Sequence, residues 1–182
     1  MPVAPSWTRS AESQRGRNAG LTTSLFAEVA RRCYEKSVAT RSVSPEEAAA
    51  LLADGYVYVD VRSEPEFEAG HVPGALNVPL LHQGPGGLTP NPEFLSVMQK
   101  AFGTSEKMVV GCKAGGRSKR AADQLSQAGF SELAEMSAGW DGSRDAFGRA
   151  VPGWSKLGLP VEPGKPPGQA YADVKQRTPK LG

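Results

Sequence analysis

The chain has 182 residues, of which 39% are hydrophobic and 22% charged, enough for one well-cored domain with tails. A formal net charge of +2 at pH 7 and the lack of any basic run give no footprint for nucleic acid. No stretch of about 18 consecutive apolar residues offers a membrane span.

Residues from Met1 to about Gly20 are rich in Arg, Ser, Ala and Gly, with Glu12 as their only acid, the composition of an organellar transit peptide. From Ser24 to Ser37, Leu25, Val29 and Cys33 fall on one face of a helix, with Phe26 and Ala30 beside them. Residues 1–37 thus read as an N-terminal extension. Its helix either packs on the domain or belongs to a removed presequence.

The folded domain is expected over residues 38–162. Ser44-Pro45-Glu46-Glu47 starts a helix running to Ala53, with Ser44 as cap, Pro45 in the first turn and Glu47 closing a capping box. Tyr56-Val57-Tyr58-Val59-Asp60-Val61 is a buried strand by its β-branched and aromatic content. Ser63 caps a short helix with Pro65 in its first turn and Glu66 three residues on. Gly70 to Pro79 is turn-rich, with an extended piece at Leu76-Asn77-Val78, and a Gly- and Pro-rich loop spans Gln83 to Pro92.

A helix follows from Pro92 to Phe102, then a second buried strand from Lys107 to Cys112. Ser118 to Ala128 is an amphipathic helix with Ala121, Ala122 and Leu125 on one face, stopped by Gly129, and Leu133-Ala134-Glu135-Met136 is the last short strand. Strands alternating with helices predict an α/β domain, a parallel sheet of about five strands covered on both faces. Residues 163–182, with Pro, Lys and Gln but no periodicity, are expected to form a disordered tail.

Chemistry is written most clearly at Gly111-Cys112-Lys113-Ala114-Gly115-Gly116-Arg117-Ser118. A cysteine leaving the carboxyl end of a parallel strand lands where α/β folds bind ligands. Gly115-Gly116 allows the tight curl into the next helix, and such a curl turns backbone N–H groups inward as a nest for a thiolate, a persulfide or an oxyanion. An ordinary thiol is only a few per cent ionised at neutral pH. A twofold-decade gain in thiolate requires about 2.7 kcal/mol, of which a partly buried helix terminus supplies up to ~2 kcal/mol. Lys113 and Arg117 can supply the rest. Cys112 also suits a plain apolar role at a strand end, but the Gly-Gly turn and flanking cations favour a nucleophile. The other cysteine, Cys33, has no such setting. The two make no disulfide framework and fit no zinc spacing, which favours a reducing compartment.

These residues resemble the active-site loop of single-domain rhodanese-like proteins, particularly plant and cyanobacterial thiosulfate sulfurtransferases. Asp60-Val61-Arg62, Glu66-Phe67, Gly70-His71-Val72-Pro73-Gly74-Ala75 and Asn77-Val78-Pro79 look like that family's upstream signature, and Pro92-Glu93-Phe94 and Gly158-Leu159-Pro160-Val161 also fit. The resemblance covers Val43 to Glu162. It implies that Cys112 takes a sulfane sulfur from thiosulfate or a similar small anionic donor and passes it to cyanide or a thiol, such as a small thiol or a thioredoxin-like protein. It further implies that the amides of Lys113, Ala114, Gly115, Gly116, Arg117 and Ser118 hold the outer sulfur, while Lys113 and Arg117 attract the donor. No metal or organic cofactor is implied.

Asp60 and Arg62 are expected to organise hydrogen bonds and charge at the sheet edge, His71 to bond backbone, and Trp140 and Trp154 to pack. The segment Asp141 to Pro152 has no functional reading. Resemblance and N-terminal composition together point to a chloroplast, with mitochondrion and cytoplasm as alternatives. Two other readings compete. Cysteine-loop phosphatases and arsenate reductases place Arg at the sixth position after Cys, whereas here Arg117 is fifth and Ser118 sixth, a loop better sized for one sulfur. A regulatory or scaffold protein would keep the domain without turnover.

Overall fold

A computed structural model describes residues 40–178; the transit-peptide and first-helix expectations, and Cys33, lie outside the described residues. Five parallel strands form the central sheet in the order β1-β7-β6-β2-β3. They are β1 (Arg41–Val43), β2 (Val57–Asp60), β3 (Leu76–Asn77), β6 (Met108–Gly111) and β7 (Leu133–Met136). The register aligns Val57 with Met108 and Asp60 with Gly111, and Met108 with Leu133. This is the expected α/β sheet, and β6, the strand that leads to Cys112, lies at its centre.

Side-chain alternation along the strands divides the core in two. Val59, Met108, Val110 and Leu133 face one side, where they meet α3 (Phe94–Ala101), α4 (Gly116–Gln127) and α5 (Tyr171–Val174). Tyr58, Val109, Ala134 and Met136 face the other, against α1 (Pro45–Ala53), α2 (Glu64–Ala69) and Trp154. Both faces of β2 and β6 are buried, which is why those segments read as continuous apolar runs.

The start signals act as expected. Ser44 Oγ accepts from Glu47 N, and Glu47 Oε2 accepts from Ser44 N at 2.9 Å. Glu66 Oε2 accepts from both the amide and the hydroxyl of Ser63, at 3.1 and 2.7 Å. The third helix begins at Phe94 rather than Pro92, because Asn91 Oδ1 takes the Glu93 amide at 2.9 Å and sets the entry turn.

Two expectations are corrected. The loop expected over Gln83 to Pro92 is largely a hairpin, β4 (Leu81–Gly84) against β5 (Gly87–Pro90). It is mostly solvent-exposed, so no apolar alternation marked it. The tail expected to be disordered from residue 163 is instead part of the fold through residue 178. Gln169 O accepts from Asn77 N at 2.9 Å beside edge strand β3, and Tyr171 and Val174 are buried. Asn91 Nδ2 reaches Tyr171 Oη at 3.1 Å. Two apolar residues on one turn anchor this segment, too few to show a period. The segment between Asp141 and Pro152 folds as a small hairpin, β8 (Ser143–Arg144) against β9 (Ala150–Val151).

Candidate active site

Cys112 follows β6 directly, and the chain turns at once into α4. The residues after β7 hold the turn from beneath: Trp140 N donates to Cys112 O and Asp141 N to Lys113 O, both at 2.8 Å. This close approach admits no side chain at two positions. Gly115 has φ +87°, and a Cβ there would lie 2.2 Å from Ser137 O; Gly139 has φ +64°, and a Cβ would lie 2.6 Å from the Lys113 carbonyl carbon.

Lys119 N donates back to Gly115 O at 3.0 Å, whereas the preceding amides, 113–118, have no backbone acceptor among the described residues. Unspent donors at the start of a twelve-residue helix are the physical basis of an anion site.

The thiol itself is buried and belongs to the apolar core on the side of α3, α4 and α5. Cys112 is only 1% exposed, while Lys113, Ala114 and Gly116 around it are open to solvent. Its Sγ lies 3.3 Å from Ser118 Oγ. Ser118 Oγ in turn lies 2.5 Å from Glu135 Oε1 and 2.9 Å from Gly115 O, and either oxygen can accept its single proton. Burial pushes the Glu135 carboxyl up, with the Ser118 hydrogen bond opposing.

Both loop cations already have carboxylate partners. Arg117 Nη1 and Nη2 donate to Glu66 Oε2 and Oε1 at 2.7 and 2.8 Å, a bidentate pair joining α4 to α2. Burial alone would raise the Glu66 carboxyl, yet the hydrogen bonds from Arg117 and Ser63 hold it down to about 2. Lys113 Nζ is 3.5 Å from Asp141 Oδ2 in an exposed, looser pair. Glu66, Asp141 and Glu135 were not foreseen as site residues. Glu66 was already accounted for as a helix cap, and only its place inside an apolar strand marked Glu135.

Asp60 and Arg62 sit beside the loop as a buried pair. Arg62 Nη2 reaches Asp60 Oδ2 at 2.6 Å and Gly70 O at 2.7 Å, and its guanidinium lies 4.6 Å from the centre of the Trp140 ring. Val61 N donates to Gly111 O at 2.9 Å, so this pair is coupled through backbone to the residue before Cys112. His71 Nδ1 donates to Phe67 O at 2.9 Å, and Trp154 packs edge-on against Tyr58. Among the described residues, no cluster of three or more His, Cys, Asp or Glu is gathered for a metal.

The sequence matches the rhodanese-like domain family over residues 44–146, more than half of the chain. The chain belongs to the rhodanese-like family. Among rhodanese-like relatives, thiosulfate sulfurtransferase 16, chloroplastic, of Arabidopsis thaliana is 38% identical over 128 residues, covering 70% of this chain and 98% of the relative. Senescence-associated protein DIN1 of Raphanus sativus is 34% identical over 121 residues, 66% of this chain and 60% of the relative. Protein HIGH ARSENIC CONTENT 1, mitochondrial, of Arabidopsis thaliana is 37% identical over 99 residues, 54% of this chain and 59% of the relative. The chain therefore spans under two thirds of the length of the last two. The crystal structure of Rv0390 from M. tuberculosis superposes with a TM-score of 0.55 at 27% identity, covering 69% of this chain and 98% of that one.

Proposed function

We propose that this rhodanese-like domain is a sulfurtransferase working through a persulfide on Cys112. The observation that carries the reading is a buried thiol at the end of the central strand, followed directly by amides 113–118 that have no backbone acceptor among the described residues. In the first step the Cys112 thiolate attacks the outer sulfur of thiosulfate. The bond between the two donor sulfurs breaks, and sulfite leaves with the electron pair. The new Cys112 persulfide carries its charge on the outer sulfur, which the amides of Lys113, Ala114, Gly115, Gly116, Arg117 and Ser118 receive. In the second step cyanide or a thiol attacks that sulfur, and the Cys112 thiolate departs.

Lys113 is the cation suited to meet an incoming anion, because its exposed pair with Asp141 exchanges readily. Arg117 adds positive charge at the helix start while its fork holds α4 against α2. That engagement also disfavours the phosphatase or arsenate reductase alternative, in which the loop arginine closes over a tetrahedral oxyanion. A thiosulfate sulfurtransferase activity is supported by the name of the relative whose whole length the chain nearly spans. A small anionic sulfur donor and a thiol acceptor, small or thioredoxin-like, complete the reading. A chloroplast location is supported by relatives designated chloroplastic, against one designated mitochondrial.

Steady-state transfer from thiosulfate to cyanide tests this function. The expected result is parallel double-reciprocal lines, the mark of a covalent intermediate, and no turnover in Cys112→Ser. Intersecting lines, or activity that survives the substitution, would refute it.

A further inference from the structure

Glu135 is a charged side chain in a strand whose other residues, Leu133, Ala134 and Met136, are apolar, and it is 6% exposed. A carboxylate in such a place is costly unless it is paired or has a task. Its partner is Ser118, and Ser118 is the partner of the Cys112 sulfur. Beside the carboxylate, a surface groove is lined by Ala114, Gly115 and Gly116 of the loop together with Lys119, Glu135 and Arg144. Cys112 is not part of that lining. Glu135 thus stands between a buried thiol and a groove that the loop itself borders.

We propose that Glu135 is the proton store of the site, drawing the Cys112 proton through the Ser118 hydroxyl as the sulfur becomes a nucleophile. This inference rests on the reading of Cys112 as the attacking group. The S–H bond breaks, sulfur keeps the electron pair, and the proton joins Ser118 Oγ. The proton that Ser118 held passes to Glu135 Oε1, leaving a neutral carboxylic acid. No oxidant or reductant enters. The reset hydroxyl can then face the sulfur anion, while Glu135 donates to Ser118 Oγ. Gly115 O, the second neighbour of the hydroxyl at 2.9 Å, competes for its proton, and the shorter contact to Glu135 Oε1 favours the carboxylate.

The surroundings favour the uncharged form of the Glu135 carboxyl more than those of an exposed one would. Burial favours the neutral acid and Asp123 on α4 adds to this, while Ser118, Lys119 and the Ser42 hydroxyl of β1 oppose it. Tyr58 of β2 also senses the carboxylate's charge, Arg144 shares the groove, and β6 places the uncharged Val110 alongside. Glu135 acts through Ser118 and is a positioning residue.

The test is the rate at which iodoacetamide alkylates Cys112 in the full chain between about pH 5 and 10, read on the Cys112 peptide by mass spectrometry. A carboxylate that only repels the sulfur anion and a carboxylate that takes its proton predict opposite results. If Glu135 takes the proton, Glu135→Gln moves the rise in reactivity at least about one pH unit higher and lowers the rate at pH 7 about tenfold. The variant converges with wild type at high pH, where the thiol loses its proton to solvent. Glu135→Asp keeps the wild-type shape, and Ser118→Ala shifts the profile as Glu135→Gln does.

A uniform loss at every pH would show a structural role alone. A faster Glu135→Gln at neutral pH would show simple repulsion. Either overturns the proposal. Should Glu135→Gln fail to fold, Ser118→Ala decides, and an unshifted profile there overturns it equally. Alkylation needs no sulfur donor. A shifted profile in a protein that takes no sulfur from thiosulfate would therefore retire the transferase reading while leaving the proton store standing.

Discussion

Gly115 and Gly116 adjoin in sequence but carry different obligations. At Gly115 a methyl group would meet Ser137 O at 2.2 Å on a left-handed backbone, whereas at Gly116 it would meet nothing within 4 Å. Gly115→Ala should therefore cost about 2–4 kcal/mol in denaturant unfolding and lower Cys112 reactivity, while Gly116→Ala should stay within about 1 kcal/mol of wild type. Glu66 gives a second prediction at this scale. Its folded-state carboxyl is held down to about 2, below the usual carboxylate range, so its contribution is present above the unfolded-state value. It is lost as pH falls toward 2. Melting temperature should drop across that window in wild type, and Glu66→Gln should remove about 1–2 kcal/mol of that pH dependence. The loop cysteine, its glycines and both helix caps were legible because each is a local signal. The Arg117–Glu66 and Ser118–Glu135 contacts were not, since they join residues 51 and 17 positions apart.

Among the elements, those with apolar runs or capping signals were legible, whereas those that depend on a distant partner were not. The edge strand β1 has three residues, too few for a pattern, and takes its register from β7. The C-terminal segment is the clearest case. Its helix has four residues and no propensity to stand alone, yet Tyr171 and Val174 enter the same core as Phe94, Met98 and Phe102. Burial of two such side chains is worth about 3 kcal/mol or more. Deleting residues 163–182 should lower the unfolding free energy by about that amount, measured by urea titration, and should speed amide exchange at Asn77, whose N–H bonds Gln169 O. A truncated chain as stable as the full one would contradict this placement.

For the whole molecule, a sheet with both faces covered raises the end of its central strand into a loop whose sulfur is shielded and whose rim is open. The arrangement selects for small reactants. Iodoacetamide should alkylate Cys112 at least about tenfold faster than a bulky maleimide, by peptide mass, because only the smaller reagent passes the rim. Sulfur uptake is the most direct check on the account as a whole. Intact-mass spectrometry after thiosulfate treatment, with wild type beside Cys112→Ser, should show one added sulfur atom on the wild type, absent from the variant and removed by cyanide. An unchanged wild-type mass, or a sulfur adduct that maps to Cys33, would contradict it.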